Sequence, residues 1–347
     1  MRLLGKINIK VTENSYLCGM KTILAKLLYV LLYLLSLLPM WVHYLFSDLL
    51  YVLVYKLVGY RLGVVRKNLS SSFPEMSEKQ LRQTEHQFYH WFCDYIVESI
   101  KLLSASKKQM MRRMQFKGTE LANQVIEEGR SIALYMGHYC NWEWVSTLPL
   151  WVSSKSQCGL IYHPLENPEF DSIFLKLRSR MGAIGIPMED AARVLIKNKR
   201  EGKPLIIGFL SDQVPFWKSI HHWLDFLNHD TPVLTGTERI VRMVDHAAFY
   251  LDIRRVRRGY YEAEFKVLSL EPKKLAEFEL TDLYFQQLEE TIRRDPPYWL
   301  WTHNRWKRTH EEFLQRLDPE TGIVDTSGTM WRVKERMERE KGRVNSE

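Results

Sequence analysis

The sequence predicts an α/β fold, a mixed central sheet flanked by helices, preceded by an N-terminal membrane-anchoring helix. Three observations point there. Ile132 to Met136 and Leu205 to Leu210 are apolar runs too short for buried helices, each bounded by glycine or proline, as buried strands of a parallel or mixed sheet are. Each run follows a stretch of helical period that a glycine ends, Thr119 to Gly129 in one case and Asp190 to Gly202 in the other. Ahead of both, Leu27 to Ser47 is a stretch of 21 residues without Lys, Arg, Asp or Glu, against the roughly 20 needed to cross a hydrocarbon core.

Size and composition narrow the classes. At 347 residues with no linker-like segment, the chain divides into a polar extension (1–20), an apolar anchoring segment (21–60), one main domain (61–325) and a charged tail (326–347). A net charge of +8 and a pI of about 9.1 imply acidic partners such as a membrane surface, a phosphorylated lipid or an acidic carrier protein. Nucleic acid is excluded, because the basic residues are dispersed and no recognition module is present. The 11 Trp residues suit contact with lipid or an apolar ligand. Cys18, Cys93, Cys140 and Cys158 form no CxxC pair and no framework, which predicts reduced thiols in a cytosol-facing domain.

In chain order, Met20 ahead of Lys21 offers an alternative start. The apolar run that follows is read as membrane-attached, by spanning or by monotopic insertion, with Lys21 and Lys26 on the cytosolic side and Trp41 and Tyr44 as interfacial anchors. Leu49 to Tyr60 lies along the surface. Ser77 and Gln80 form a capping box that opens a long helix to about Leu103, with Tyr89, Phe92 and Ile96 on its buried face. Lys107 to Lys117 is a basic connection.

The strand Ile132 to Met136 leads to Gly137, then His138 and, five residues on, Glu143, with Asn141 as N-cap of a helix beginning near Trp142. A neutral imidazole can take a proton from a hydroxyl near neutral pH, and a carboxylate on its other nitrogen fixes the tautomer. On spacing alone a histidine hydrogen-bonded inside a loop is as good a reading as a base oriented by Glu143, and the second copy of the layout, with Asp212 past its strand, favours His138 as the base. Cys140 is a weaker candidate, as a nucleophile.

Cys158 to Tyr162 reads as a strand and Phe170 to Met181 as a helix carrying Lys176, Arg178 and Arg180; the two arginines, two apart, do not share a helix face, so at most one of them enters a crevice. Past Leu210 stand Asp212 and Gln213. In open α/β sheets ligands bind at the carboxyl ends of the strands, so His138 and Asp212 are expected to face one crevice. An aromatic loop holding His221, His222, Asp225, His229 and Asp230 follows, with no zinc-like spacing, and no metal or cofactor is expected. Phe249 to Val256 and Tyr260 to Leu268 form a hairpin about Arg258-Gly259, whose arginines serve edge solubility or phosphate binding. A helix through Leu283, Leu288 and Ile292 stops at Pro296-Pro297, WLWTHNRWKR (Trp299 to Arg308) alternates aromatic and basic groups, and 331–347 is a charged helix.

Four blocks in this order resemble the lipid A late acyltransferase family, within the wider lysophospholipid acyltransferase group, from about Lys21 to Lys307. They are RKNLSSSFPEMS (Arg66 to Ser77); GHYCNWE (Gly137 to Glu143); ENPEFDSIFLKLRSRMG (Glu166 to Gly182) with LSDQ (Leu210 to Gln213); and TPVLTG with PPYWLWTHNRWKR. The resemblance implies transfer of a fatty acyl group from acyl carrier protein to a hydroxyl of a lipid A precursor, at the cytoplasmic face of the inner membrane and without a cofactor. By position, His138 is the base and Glu143 its partner, while Arg178, Asp212, Gln213, Arg180, Arg305 and Lys307 bind substrate or support the site. Tyr162-His163-Pro164 stands where the family has Tyr-Arg-Pro, and His303-Asn304-Arg305-Trp306-Lys307 where it has His-Arg-Arg-Phe-Lys. These departures leave the chemistry intact but open the acceptor to a glycerophospholipid or aminolipid; the alternative from another class is an inactive lipid-binding homologue.

Overall fold

The computed structural model describes residues 24–165 and 167–327; the expectations for 1–20, Met20, Cys18, Glu166 and the helix over 331–347 lie outside the described residues. Proline decides how the chain begins. Instead of one long helix there are two, α1 (Leu24–Leu37) and α2 (Met40–Tyr51), bent by 118° about Pro39. Proline lacks the amide hydrogen and disfavours helical backbone in the residue before it, so Leu38 leaves the helix. Lys101 takes the freed carbonyls, its Nζ donating to Ser36 O at 2.7 Å and Leu38 O at 2.8 Å. Among the described residues no single helix is long and apolar enough to cross a membrane, although the bent pair is by length and composition. A π-helical turn, Val52–Leu57, prolongs α2.

α3 (Leu62–Ser72) precedes α4 (Glu78–Lys101), which opens on the expected capping box of Ser77 and Gln80. α5 (Lys107–Arg113) runs into β1 (Met114–Lys117), so the basic connection ends as a strand with alternate residues buried. Then come α6 (Thr119–Glu127), β2 (Ile132–Met136) and a 3₁₀ helix (Trp142–Leu150), followed by β3 (Gln157–Tyr162), α7 (Pro168–Ser179) and β4 (Ile184–Pro187). α8 (Ala191–Arg200) leads to β5 (Leu205–Leu210). The expected aromatic loop is partly a hairpin, β6 (Ile220–Phe226) with β7 (His229–Leu234), and α9 (Gly236–Val244) follows. β8 (Ala247–Arg257), β9 (Tyr260–Ser269), α10 (Glu279–Arg294) and α11 (His310–Arg316) complete the described chain.

Seven strands form one mixed sheet in the order β1-β9-β8-β2-β5-β3-β4, parallel at each pairing except β8 with β9. β2 and β5 lie in its middle and are buried almost throughout, as their unbroken apolar runs require. Their register sets Met136 opposite Leu210. The two strands thus release the chain side by side at one edge, Gly137-His138 from one and Ser211-Asp212 from the other.

Arg255 and Arg258 of the hairpin are paired inside the fold, which removes the phosphate-binding alternative for these two, whereas Arg254 and Arg257 are exposed. Arg255 and Arg258 both reach Asp94 on α4 at 2.7 Å, and Arg258 also reaches Asp48 on α2 at 2.5 Å.

Candidate active site

At the edge where β2 and β5 end, Gly137 makes a close approach possible. A Cβ there would come within 2.6 Å of Leu288 Cδ1 and 3.3 Å of Asp212 Oδ2. With none in the way, the backbone amide of His138 donates to Asp212 Oδ2 at 2.8 Å, and its ring Nδ1 lies 2.6 Å from Oδ1. Trp299 adds its indole N–H to Oδ2 at 2.8 Å. Burial works against ionisation of Asp212, but the His138 ring charge and these hydrogen bonds outweigh it and hold the carboxyl at about 2. An ionised carboxylate only accepts, so Nδ1 carries the proton it donates to Asp212 and Nε2 is the ring nitrogen that faces away from it. Gln213 Nε2 lies 3.4 Å from that nitrogen. Trp142 meets the ring edge-on at 5.2 Å and stacks on Tyr95 at 4.1 Å, an aromatic wall beside the imidazole.

Glu143 does not orient His138. The turn after His138 passes through Cys140 in the left-handed region (φ 51°) and enters a 3₁₀ helix that contains Pro149, not the expected α-helix, although Asn141 caps it as expected. That path aims Glu143 at α7, where Arg178 grips it with both ends of its guanidinium, Nε to Oε2 at 2.8 Å and Nη2 to Oε1 at 2.7 Å. Arg178 is accordingly the one cation of α7 that turns inward. Lys176 lies over the Tyr29 ring, and Arg180 donates to the Leu102 and Ala105 carbonyls at the end of α4, capping that helix and not supporting the crevice.

The closing block is threaded against the His138 turn. Leu300 N–H donates to His138 O at 3.1 Å, and Cys140 N–H to Tyr298 O at 2.8 Å. Asn68, from the first block, donates to the Trp301 and His303 carbonyls, both at 2.9 Å. His303 Nε2 accepts from Val214 N–H at 3.3 Å, and burial lowers its pKa to about 4, so it is a neutral brace for the Asp212–Val214 turn. Arg305 is wholly buried and donates to Pro232 O at 2.8 Å; burial lowers its pKa to about 10, against the pull of the Asp212 charge. Lys307 is exposed. Sequence reading gave no role to Trp299, Asn68 or His303, and the alternation of aromatic and polar groups in Trp299–Arg308 was the available signal.

Cys140 is buried and its thiol is pushed well above the usual value by burial, which leaves no thiolate for nucleophilic attack. The histidines after Asp212 go separate ways: His222 pairs with Asp282, His229 stacks on Trp306, and His310 with Asp230 closes the far side. A cavity of about 500 Å³ between β6 and α10, with Leu224 and Phe285 in its wall and Asp225, Asp282 and Glu289 about it, shares no residue with the His138 site.

Comparison with known proteins follows this geometry. Residues 15–308 match the family described as bacterial lipid A biosynthesis acyltransferase. A curated protein of Haemophilus influenzae named lipid A biosynthesis acyltransferase is 21% identical over 238 residues, covering 67% of this chain and 72% of that protein.

Proposed function

The chain belongs to the bacterial lipid A biosynthesis acyltransferase family, and from that membership we propose that it moves a fatty acyl group from an acyl carrier protein thioester to a hydroxyl of a lipid A precursor, with His138 as general base and Asp212 as the carboxylate that orients it. The observation that carries this reading is the 2.6 Å contact of Nδ1 with a buried, ionised Asp212. Nε2 takes the proton of the acceptor hydroxyl as its oxygen attacks the thioester carbonyl. The tetrahedral oxyanion collapses and expels the carrier thiolate, which recovers the proton from Nε2. The products are the lipid ester and the free carrier thiol. Gln213, whose amide lies 3.4 Å from His138 Nε2, is the side chain that would donate to the oxyanion. Glu143 and Arg178 form a rigid wall of the site, and the Trp142–Tyr95 pair offers an apolar surface to the acyl chain.

The same reading puts the protein on the cytoplasmic face of the inner membrane. α1 and α2 turn Leu24, Leu27, Leu34, Trp41, Leu45 and Leu49 outward, each at least 56% exposed, an apolar surface larger than a water-facing helix pair carries. Detergent-purified protein, given acyl carrier protein thioesters and a panel of lipid A precursor, glycerophospholipid and aminolipid acceptors, is expected to form the lipid A ester by mass spectrometry. His138→Ala is expected to lower turnover by about 10²-fold or more. Ester on another acceptor only, or equal turnover by His138→Ala, would overturn the reading.

A further inference from the structure

Beneath the His138 turn lies a carboxylate that the proposed chemistry does not use. Glu98 of α4 is fully buried, and three elements donate to it: Asn141 Nδ2–H and Tyr261 O–H to Oε2, both at 2.8 Å, and Tyr44 O–H to Oε1 at 3.1 Å. Its backbone carbonyl accepts the Trp144 indole N–H at 3.0 Å. Burial, with the neighbouring Asp94 charge, raises its pKa to about 7 against the pull of Asn141 and Tyr261.

Two of these contacts lead to the turn that carries His138 and Glu143. Asn141 is held at both ends, its amide on Glu98 and its carbonyl oxygen accepting Trp144 N–H at 3.1 Å. Directly before it, Cys140 holds a positive φ that L-residues keep only where their surroundings enforce it. The Tyr44 contact leads outward to α2. Its ring lies 4.4 Å from the Arg258 guanidinium, and its hydroxyl passes beneath the hairpin turn, where a Cβ on Gly259 would come within 1.8 Å of it. Gly259 thus leaves the passage open. Ser47 on Asp94 at 2.7 Å and Asp48 on Arg258 at 2.5 Å fasten the same face of α2, while Trp41, Leu45 and Leu49 face outward.

We infer that Glu98 is a positioning residue for the proposed reaction: through Tyr44 and Asn141 it makes the geometry of the His138 turn depend on how α2 is seated. The inference rests on His138 acting as the base. Glu98 touches no reacting atom, so its loss slows the chemical step and leaves substrate binding in place. Any surface that moves α2 acts on the turn by the same route.

The test uses the full chain in detergent micelles, with Tyr44→Phe, Glu98→Gln and the double variant, read by melting, by kcat and KM for acyl transfer, and by the NMR signals of the His138 imidazole. Tyr44→Phe, which takes a donor from the buried Glu98 Oε1, is expected to lower the melting temperature modestly, to lower kcat by about tenfold, the scale of one hydrogen bond to a charged group, and to leave KM unchanged. The His138 signals shift with it. Glu98→Gln lowers kcat at least as far, and adding Tyr44→Phe to it changes nothing more. Wild-type kcat with unshifted His138 signals in Tyr44→Phe, or single effects that multiply in the double variant, overturns the inference. If Glu98→Gln does not fold, Tyr44→Phe decides. If the wild type transfers no acyl group, the functional reading fails separately and the His138 signals alone decide.

Discussion

Replacing Asp212 by Asn keeps the shape and reverses the hydrogen-bond logic. Two donors, the His138 amide and the Trp299 indole, both at 2.8 Å, fix the Oδ2 position as an acceptor, so the carbonyl oxygen of an asparagine must lie there. Its NH₂ then occupies the Oδ1 position, 2.6 Å from Nδ1. An amide donates where a carboxylate accepted, so Nδ1 must become the acceptor and the ring proton moves to Nε2, the atom that has to be bare. General-base assistance is worth about 10²- to 10⁴-fold, or roughly 3–5 kcal/mol in the barrier, and the same change in hydrolytic triads costs about 10⁴. The assay is kcat with an acyl carrier protein thioester at saturating acceptor. Glu143→Gln is the control: it leaves Arg178, 20% exposed, without its charge partner, and is expected to lower the melting temperature more than it lowers kcat. Wild-type kcat in Asp212→Asn, or a larger loss in Glu143→Gln with unchanged melting, would refute the assignment.

Gly137→Ala should destabilise by about 1–3 kcal/mol and depress kcat, because its methyl meets Leu288, and Leu288→Ala should restore part of both; a wild-type melting curve for Gly137→Ala alone would show that the close approach is dispensable. Burial lowers the pKa of His246 to about 4, so below pH ~6.5 the unfolded chain takes a proton that the folded chain refuses. Its contribution to stability is complete above pH ~6.5 and falls away toward pH 4, by up to about 3 kcal/mol at 1.36 kcal/mol per pH unit. Urea midpoints at pH 7.5 and 5 measure that slope, and His246→Leu should flatten it; an unaltered slope rules the histidine out as its source. Trp41→Glu with Leu49→Glu places charges on the outer side of α2 and should abolish flotation with anionic vesicles at unchanged melting, and flotation equal to wild type would remove α2 from the membrane contact.

The central strands and the position of His138 at a strand end were legible because their signals are local: apolar runs of five and six residues bounded by Gly and Pro, and a glycine directly before a histidine. That His138 and Asp212 share a strand-end crevice was also readable from two successive helix–strand units. Which carboxylate touches the ring was not, because that follows from the parallel register of Met136 with Leu210, a long-range fact, whereas the five-residue spacing to Glu143 suggested a partner that the backbone of Cys140 turns away. The edge strands β1 and β4 escaped notice for a different reason. Each is four residues long, and one is embedded in basic sequence while the other ends in proline. A proline explains a break in the apolar run but not a bend of 118°, which no local sequence signal gives. Glu98 and Asp94 were invisible as buried acids, because a helix sequence does not reveal which charges its neighbours will bury.

The ¹⁵N spectrum of the His138 ring at neutral pH is the most direct measurement of which acid partners the base. A proton on Nδ1 with a bare Nε2 is expected in the wild type, unchanged in Glu143→Gln and switched to Nε2–H in Asp212→Asn. A wild-type ring already protonated on Nε2, or a switch caused by Glu143→Gln and not by Asp212→Asn, would contradict it.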